Sequence, residues 1–203
     1  MSLCRMLGEE TKESATAPPS VGEKTILFVG EKRSGKTSLI AKFLGDPVKE
    51  DTTETTALDF KFGKRQVDDK SQKVSMFELG GGRSLADMLS VCLTPRSVSS
   101  TVVCITVDLT RPGNAVDSVL FWLNVVREQT QQVLQMNMTH QSEVQNMNRR
   151  LQSVWADHED RSRVELCPVP IMICGTKYDA FANTHGNVTQ KKQLCLAMRH
   201  IAH

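Results

Sequence analysis

The strongest chemical signal in the sequence is a phosphate-binding loop at residues 30–37, which read GEKRSGKT. The segment matches G-x-x-x-x-G-K-[ST] in full and lies between a predicted strand and a predicted helix, the context that this motif requires. Gly30 and Gly35 would let backbone N–H groups approach phosphate oxygens. Lys36 would contact the β- and γ-phosphates, and the Thr37 hydroxyl would bind Mg²⁺. We assign nucleotide contacts to Gly30, Ser34, Gly35, Lys36, Thr37 and Ser38.

A second motif, GTKYD at residues 175–179, follows the apolar run VPIMIC. GTP-binding proteins carry Asn-Lys-x-Asp at such a strand end, where the aspartate accepts hydrogen bonds from guanine and the lysine stem lies along the base. Lys177 and Asp179 are in place, but Thr176 replaces the asparagine and offers one hydroxyl instead of an amide. The motif therefore predicts a preference for guanine over adenine, with weaker discrimination than the full motif gives.

A third segment, MFELGGGR at residues 76–83, falls where GTPases place Asp-x-x-Gly. Glu78 takes the position of the Mg²⁺-holding aspartate, and Gly81 that of the glycine whose N–H meets the γ-phosphate. The next residue, Gly82, has no side chain that could orient an attacking water. Two interpretations stay open, a nucleotide-sensing loop and a purely structural glycine loop. We expect Arg83 to be a solvated arginine at a helix start and not a substitute for the missing side chain.

The threonine-rich segment 46–55, DPVKEDTTET, supplies a second candidate ligand for Mg²⁺. We choose Thr55, ahead of Thr52, Thr53 and Thr56. The three motifs together predict GTP or GDP with Mg²⁺, or else an empty but preformed loop.

The elements that must position these motifs alternate between strands and helices, apart from one early hairpin. Strands are predicted at 25–30, 57–63, 73–79, 101–109 and 169–174, and in the second of them Leu58, Phe60 and Phe62 alternate with polar residues. Helices are predicted at 34–45, 84–93, 114–138, 141–161 and 189–203. This order indicates an α/β fold with a mostly parallel sheet and helices on both faces. All the motifs fall at carboxyl ends of strands, where such sheets bind ligands.

Two segments stand apart from this alternation. Residues 1–23 are rich in Ser, Thr, Glu, Ala and Pro without any period, and we expect a disordered tail before a domain over 24–203. The long helical region 114–161 begins with an apolar stripe that we expect to pack on the sheet. The stripe consists of Val116, Val119, Leu120, Leu123, Val126 and Val133. The sequence stops after a helix, so we expect the last strand of the sheet to be missing from this chain.

Composition excludes several classes of function. The 203 residues have a formal net charge of +2 and only 5% aromatic residues, so nothing indicates a nucleic-acid partner. No apolar stretch is long enough to span a bilayer, and we expect no membrane insertion. The six cysteines form no C-x-x-C pair, and two of them lie in apolar runs. They are typical of buried thiols in a reducing compartment.

The motifs in their order resemble the light intermediate chains of cytoplasmic dynein. The resemblance rests on GEKRSGKT, TTALDFKFG, FELGGG, VDLTRP and VPIMICGTKYDAF, it covers roughly residues 24–203, and two of the segments look closest to the dynein-2 branch. It implies a Ras-like P-loop GTPase fold that serves as a non-catalytic motor subunit, with any bound nucleotide in a structural role. The implied partners are the dynein-2 heavy chain, other dynein-2 subunits and intraflagellar transport trains. The implied locations are the cytoplasm, the cytoskeleton, the cilium or flagellum and the basal body.

Two other functions compete with this one. An active small GTPase would use the same phosphate loop, but Glu78 and Gly82 argue against hydrolysis. A P-loop kinase ranks last, because the sequence contains no second-substrate site and no arginine-rich lid.

Overall fold

A five-stranded sheet forms the centre of the protein in the computed structural model, which describes residues 24–48, 54–67, 70–136, 141–164, 166–183 and 188–202. Its strands are β1 Lys24–Gly30, β2 Leu58–Val67, β3 Lys70–Leu79, β4 Thr101–Asp108 and β5 Ile171–Thr176. The strand order across the sheet is β2-β3-β1-β4-β5. β2 runs antiparallel to β3, and all other pairs are parallel. The predicted tail, Thr52 and Thr53 lie outside the described residues.

Helices cover both faces of this sheet. They are α1 Lys36–Leu44, α2 Leu89–Cys92, α3 Pro112–Met136, α4 Gln141–Val154, α5 Tyr178–Asn183 and α6 Val188–Ala202. On one face, Ile40 of α1 packs with Phe28, Met76 and Cys104 of the sheet. On the other face, α3 and α6 pack on a larger cluster that includes the fully buried Trp122. The predicted α/β class with a mostly parallel sheet and two helical layers is confirmed.

The predicted burial of side chains was wrong in two elements. Phe60 and Phe62 of β2 are 43% and 42% exposed, although their alternation suggested an inward-facing apolar side. β2 is the edge strand, so its side chains have a neighbouring described strand on one side and none on the other. Leu120 was expected on the buried stripe of α3 but is 46% exposed. The buried stripe is centred on Val119 and Trp122, so that Leu120 lies outside it.

The long helical region predicted over 114–161 is also shorter than expected. α3 ends at Met136, and α4 ends at Val154. After Val154 the chain forms turns in which local polar contacts replace helical ones, since His158 Nδ1 accepts a hydrogen bond of 3.2 Å from the backbone N–H of Asp160. No helix in the described ranges is both long and apolar enough to cross a membrane.

Candidate nucleotide-binding site

The predicted phosphate loop connects β1 to α1, as the motif requires. A Cβ on Gly30 would lie 2.4 Å from the carbonyl oxygen of Thr106, so only glycine fits there. Gly35 has φ +86°, a left-handed conformation that glycine adopts without steric cost. The buried Ser34 is fixed to β4, because its Oγ lies 2.7 Å from Oγ1 of Thr106. The loop is therefore tied to the neighbouring strand by backbone packing and by a buried hydroxyl pair.

The Lys36 ammonium lies inside this loop. Its Nζ donates to the carbonyl oxygens of Gly30 at 3.2 Å and Glu31 at 2.9 Å, and the residue is only 5% exposed. Burial lowers the pKa of Lys36 below its usual value, while the carboxylates of Glu78 and Glu31 act in the opposite direction. A phosphate anion beside Nζ would supply the charge that this site lacks.

The three residues predicted to surround Mg²⁺ meet at one carboxyl oxygen. Thr37 and Thr55 each donate a hydroxyl hydrogen bond to Oε1 of Glu78, at 2.7 Å and 2.9 Å. Glu78 is only 2% exposed, and its Oε2 has no hydrogen-bond partner in the described part of the chain. Hard oxygen donors of this kind suit Mg²⁺, and a buried oxygen without a partner is what a cation would satisfy. The residues present thus fit the ion.

Close packing explains why each of the last three positions before Arg83 in MFELGGGR is a glycine. A Cβ on Gly80 would lie 2.1 Å from the carbonyl oxygen of Thr55, and the Gly80 N–H donates to Ala57 O at 2.6 Å. Gly81 has φ +73°, and its Cβ would meet Leu85 at 2.4 Å. Gly82 has φ +61° and packs on the phosphate loop, where a Cβ would lie 3.2 Å from the Lys32 nitrogen. A side chain at position 82 would therefore need both an unfavourable backbone conformation and extra space.

The base-binding motif is connected to the phosphate loop through Thr176. Its Oγ1 lies 2.6 Å from the Ser34 carbonyl oxygen and 3.0 Å from that of Val107. Since the hydroxyl has one hydrogen, it donates to one of these carbonyls at a time. The threonine that replaces asparagine thus still links the end of β5 to the phosphate loop, a contact that the sequence did not predict.

Lys177 and Asp179 occupy different positions relative to the site. Lys177 has φ +55°, and its Nζ donates to Oδ2 of Asp108 at 2.5 Å. Burial opposes ionisation of Asp108, but hydrogen bonds from Lys177 and Thr110 outweigh it and hold the pKa of this carboxyl below its usual value. Asp179 is exposed in the first turn of α5. The sequence could have indicated the contact between Lys177 and Asp108, because β4 ends in an acid beside the end of β5.

Charged side chains of the phosphate loop contact both neighbouring loops, which the sequence did not predict. Arg33 forms an ion pair with Glu54, just before Thr55. Glu31 pairs with Arg83 at 2.5 Å, and Arg83 also pairs with Asp117 of α3. Arg83 is exposed at a helix start, as predicted, but its two carboxylate partners were not predicted. These carboxylates raise the pKa of its guanidinium, and its carbon Cζ lies 4.6 Å from the Phe121 ring centre.

A cavity of about 630 Å³ brings most of the predicted site together. Its lining includes Ser34, Gly35, Lys36, Thr37, Ser38, Thr55, Glu78, Gly81 and Lys177. Gly30 is not among the lining residues but contributes a carbonyl that Lys36 contacts. Asp179 is not among the lining residues. The residues predicted to hold the phosphates and Mg²⁺ thus come together, whereas of the two residues predicted to hold the base, Lys177 lines the cavity and Asp179 does not.

Comparison with protein families identifies similar chains. The family model described as "Dynein light intermediate chain (DLIC)" matches residues 3–173. The zebrafish protein "Cytoplasmic dynein 2 light intermediate chain 1" is 32% identical over 200 residues, which is 96% of this chain and 53% of that protein. Its mouse counterpart is 29% identical over 187 residues, which is 90% of this chain and 52% of that protein. The "Cytoplasmic dynein 1 light intermediate chain 1" of Dictyostelium discoideum is 25% identical over 158 residues.

A solved structure shares the fold. The "Crystal Structure of the Dynein Light Intermediate Chain's Conserved Domain" superposes with a TM-score of 0.60 at 16% identity, covering 90% of this chain and 64% of that one. The Ras-like fold that the resemblance implied is thereby confirmed. The present chain spans about half the length of the curated relatives it matches, with 52% and 53% of the mouse and zebrafish proteins covered.

Proposed function

The chain belongs to the dynein light intermediate chain family, and on that premise we propose that it is a non-catalytic subunit of dynein-2. In this role it binds and stabilises the dynein-2 heavy chain for retrograde intraflagellar transport in cilia, in contact with other dynein-2 subunits and with transport trains. The names of its dynein-2 relatives support the choice of motor. We also propose that the protein is located in the cytoplasm and in the cilium with its basal body.

The packing of Gly82 is the observation that carries the non-catalytic assignment. This residue follows the glycine that would meet the γ-phosphate, and in GTPases the residue here orients the attacking water. Gly82 has no side chain, and its backbone lies against Lys32 of the phosphate loop. Neighbouring Arg83 does not replace it, because its guanidinium is paired with Glu31 and Asp117.

We further propose that the assembled cavity binds a guanine nucleotide with Mg²⁺ as a structural ligand. Lys36 would hold the phosphates, while Thr37, Thr55 and Glu78 would hold the ion, directly or through water. When bound, Mg²⁺ neutralises phosphate charge. Two observations on the described residues support this proposal: the hydrogen-bond partners of the buried Lys36 ammonium are both carbonyls, and Oε2 of Glu78 has no hydrogen-bond partner.

Calorimetric titration of the purified chain with GDP, GTP and ATP, each with and without Mg²⁺, tests the nucleotide proposal. We expect guanine nucleotides to bind more tightly than ATP, Lys36→Ala to abolish binding, and Glu78→Gln to remove the Mg²⁺ dependence. Lys42→Ala is the matched control, because Lys42 is exposed on the same helix. Equal binding to the Lys36→Ala variant would contradict the assigned site.

Two measurements test the motor assignment separately. The tagged protein should co-purify with the dynein-2 heavy chain from ciliated cells, and absence of that heavy chain would refute the partner. Multiple-turnover GTP hydrolysis that Lys36→Ala abolishes would instead favour an active small GTPase and refute the non-catalytic role.

A further inference from the structure

The outer edge of β2 is a long strand edge with half-exposed aromatic side chains. β2 pairs with β3 in an unbroken antiparallel register from Leu58 opposite Leu79 to Val67 opposite Lys70. It is the terminal strand of the sheet, and no described strand pairs with its other side. Proteins usually shorten, bulge or cover such edges, because unpaired backbone groups there attract other chains. Within its paired residues this edge has no proline and no bulge.

The backbone at this edge shows which groups point outward. The N–H of Phe60 donates to the carboxylate of its neighbour Asp59 at 3.0 Å, an exposed local contact. The amide of residue 60 therefore faces away from β3. Because amide direction alternates along an antiparallel strand, the amides of Phe62 and Lys64 face outward as well. Three successive amides thus face outward, and another strand could accept from them once the exposed Phe60–Asp59 contact opens.

The side chains of the same residues form a patch on one face of the sheet. Phe60 packs on Phe77 of β3 with ring centres 5.0 Å apart, yet Phe60 and Phe62 remain 43% and 42% exposed. Lys64 Nζ lies 5.9 Å from the centre of the Phe62 ring. The patch is therefore apolar in its middle and basic at the end away from the nucleotide cavity.

Two lysines lie opposite one another at that basic end. Lys64 lies directly opposite Lys73 in the register with β3, and both side chains are exposed. Like charges directly opposite one another destabilise a strand pair. Within the described residues, neither lysine has an acidic side chain within ion-pair distance. An acidic group beside these two lysines would relieve the repulsion.

We propose that the free edge of β2 binds an extended, acidic segment of a partner protein, which adds a strand to the sheet. The partner's apolar residues, spaced by one, would lie beside Phe60 and Phe62, and an acidic residue on the same face would lie beside Lys64 and Lys73. A second copy of this chain is disfavoured, because β2 has three basic residues and one acidic residue, a net charge of +2. None of the four residues Phe60, Phe62, Lys64 and Lys73 lines the nucleotide cavity.

A peptide of the proposed pattern, TVTVTETET, tests the surface together with its reversed sequence, which covers the opposite strand direction. Binding to the full 203-residue chain is measured by titration, and backbone amide exchange is followed by NMR. We expect one direction to bind and to protect the amides of Phe60, Phe62 and Lys64, whereas the amides of Asp59 and Lys61 are already protected by β3. Replacing both glutamates by lysine should weaken binding about tenfold or more, since it places like charges together.

Matched variants make the test specific. Phe62→Ser should weaken binding up to about fivefold, as expected when an apolar cross-strand contact is lost. Phe43→Ser should leave it unchanged, because Phe43 is 55% exposed on α1. A peptide that is N-methylated on the amides facing β2 should not bind. Absence of saturable binding in both directions, or equal binding of the lysine or N-methylated peptides, would overturn the proposal. The proposal would also be overturned if the chain dimerised and Phe62→Ser abolished the dimer, because a second copy would then occupy the edge.

Discussion

Gly80 offers the sharpest test of how the glycine loop is built, and we predict that Gly80→Ala destabilises the protein strongly. The new Cβ would lie 2.1 Å from the carbonyl oxygen of Thr55 and 2.6 Å from its carbonyl carbon. Both are backbone atoms, so no side-chain rotation can relieve the clash. To reach even 3.0 Å the oxygen must move about 0.9 Å (3.0 − 2.1), which displaces the segment that positions Thr55.

The size of the destabilisation follows from the hydrogen bonds that this displacement breaks. The Thr55 hydroxyl would lose its bond to Glu78, and Gly80 N–H its bond to Ala57 O. At about 1 kcal/mol for each hydrogen bond, with about 1 kcal/mol of residual strain, the free energy of unfolding should fall by about 3 kcal/mol. For a chain of this size that corresponds to a decrease of about 1 M in the urea midpoint.

Two other glycines serve as controls for Gly80→Ala in urea unfolding followed by circular dichroism. Gly113, in the first turn of α3, has nothing within 4 Å of its added Cβ, so Gly113→Ala should be neutral or slightly stabilising. Gly45 has open space but φ +80°, so Gly45→Ala should cost about 1 kcal/mol from backbone strain alone. If Gly80→Ala cost no more than Gly45→Ala, the close packing of Gly80 on Thr55 would be refuted.

Three further predictions concern charges and thiols. Arg83→Gln should lower the free energy of unfolding by about 1 kcal/mol at low salt, measured in urea, and by less in 1 M NaCl, because its ion pair with Glu31 is partly exposed. Without nucleotide, the urea midpoint should rise with pH between the lowered pKa of Lys36 and 10.5. In that range Lys36 keeps its proton in the unfolded chain but has lost it in the folded protein, so a higher pH favours folding. The Lys36→Met variant should lack this rise. A hydrogen bond from Cys104 lowers the pKa of Cys174 to about 7. Cys104→Ala should therefore slow the alkylation of Cys174 by iodoacetamide at pH 7 about tenfold, as measured by mass spectrometry. An unchanged rate would refute that hydrogen bond.

The sequence predicted the elements of the fold because their signals are local. The run TILFVG gave β1, and Gly45 marked the end of α1, where it adopts φ +80°. Burial was predicted less well, because it depends on which element covers a given side chain. Phe60 and Phe62 have the alternation of a half-buried strand, but alternation alone cannot show that the strand lies at the edge of the sheet. The assignment to a family of motor subunits is confirmed by the family match.

The phosphate end of the site was predictable because the motif encodes its own geometry. Thr37 and Glu78 meet where their motifs predicted, and Thr55, chosen from a threonine-rich loop, contacts the same Glu78 oxygen. The ion pairs of Arg83 with Glu31 and Asp117 were not predictable, because they join residues 52 and 34 positions apart. No local pattern indicates which of several exposed carboxylates an arginine will contact.

The departures from GTPase motifs have different consequences for the site. Thr176 differs from asparagine but still donates to the phosphate loop at Ser34, so this substitution preserves a structural link. Glu78 differs from aspartate but still accepts hydrogen bonds from both threonines that face the Mg²⁺ position. Only Gly82 removes a chemical group without a replacement, since Arg83 is paired elsewhere. The changes thus preserve contacts around the predicted phosphate and Mg²⁺ positions and remove the group that would orient water, which agrees with the proposed structural role for a nucleotide.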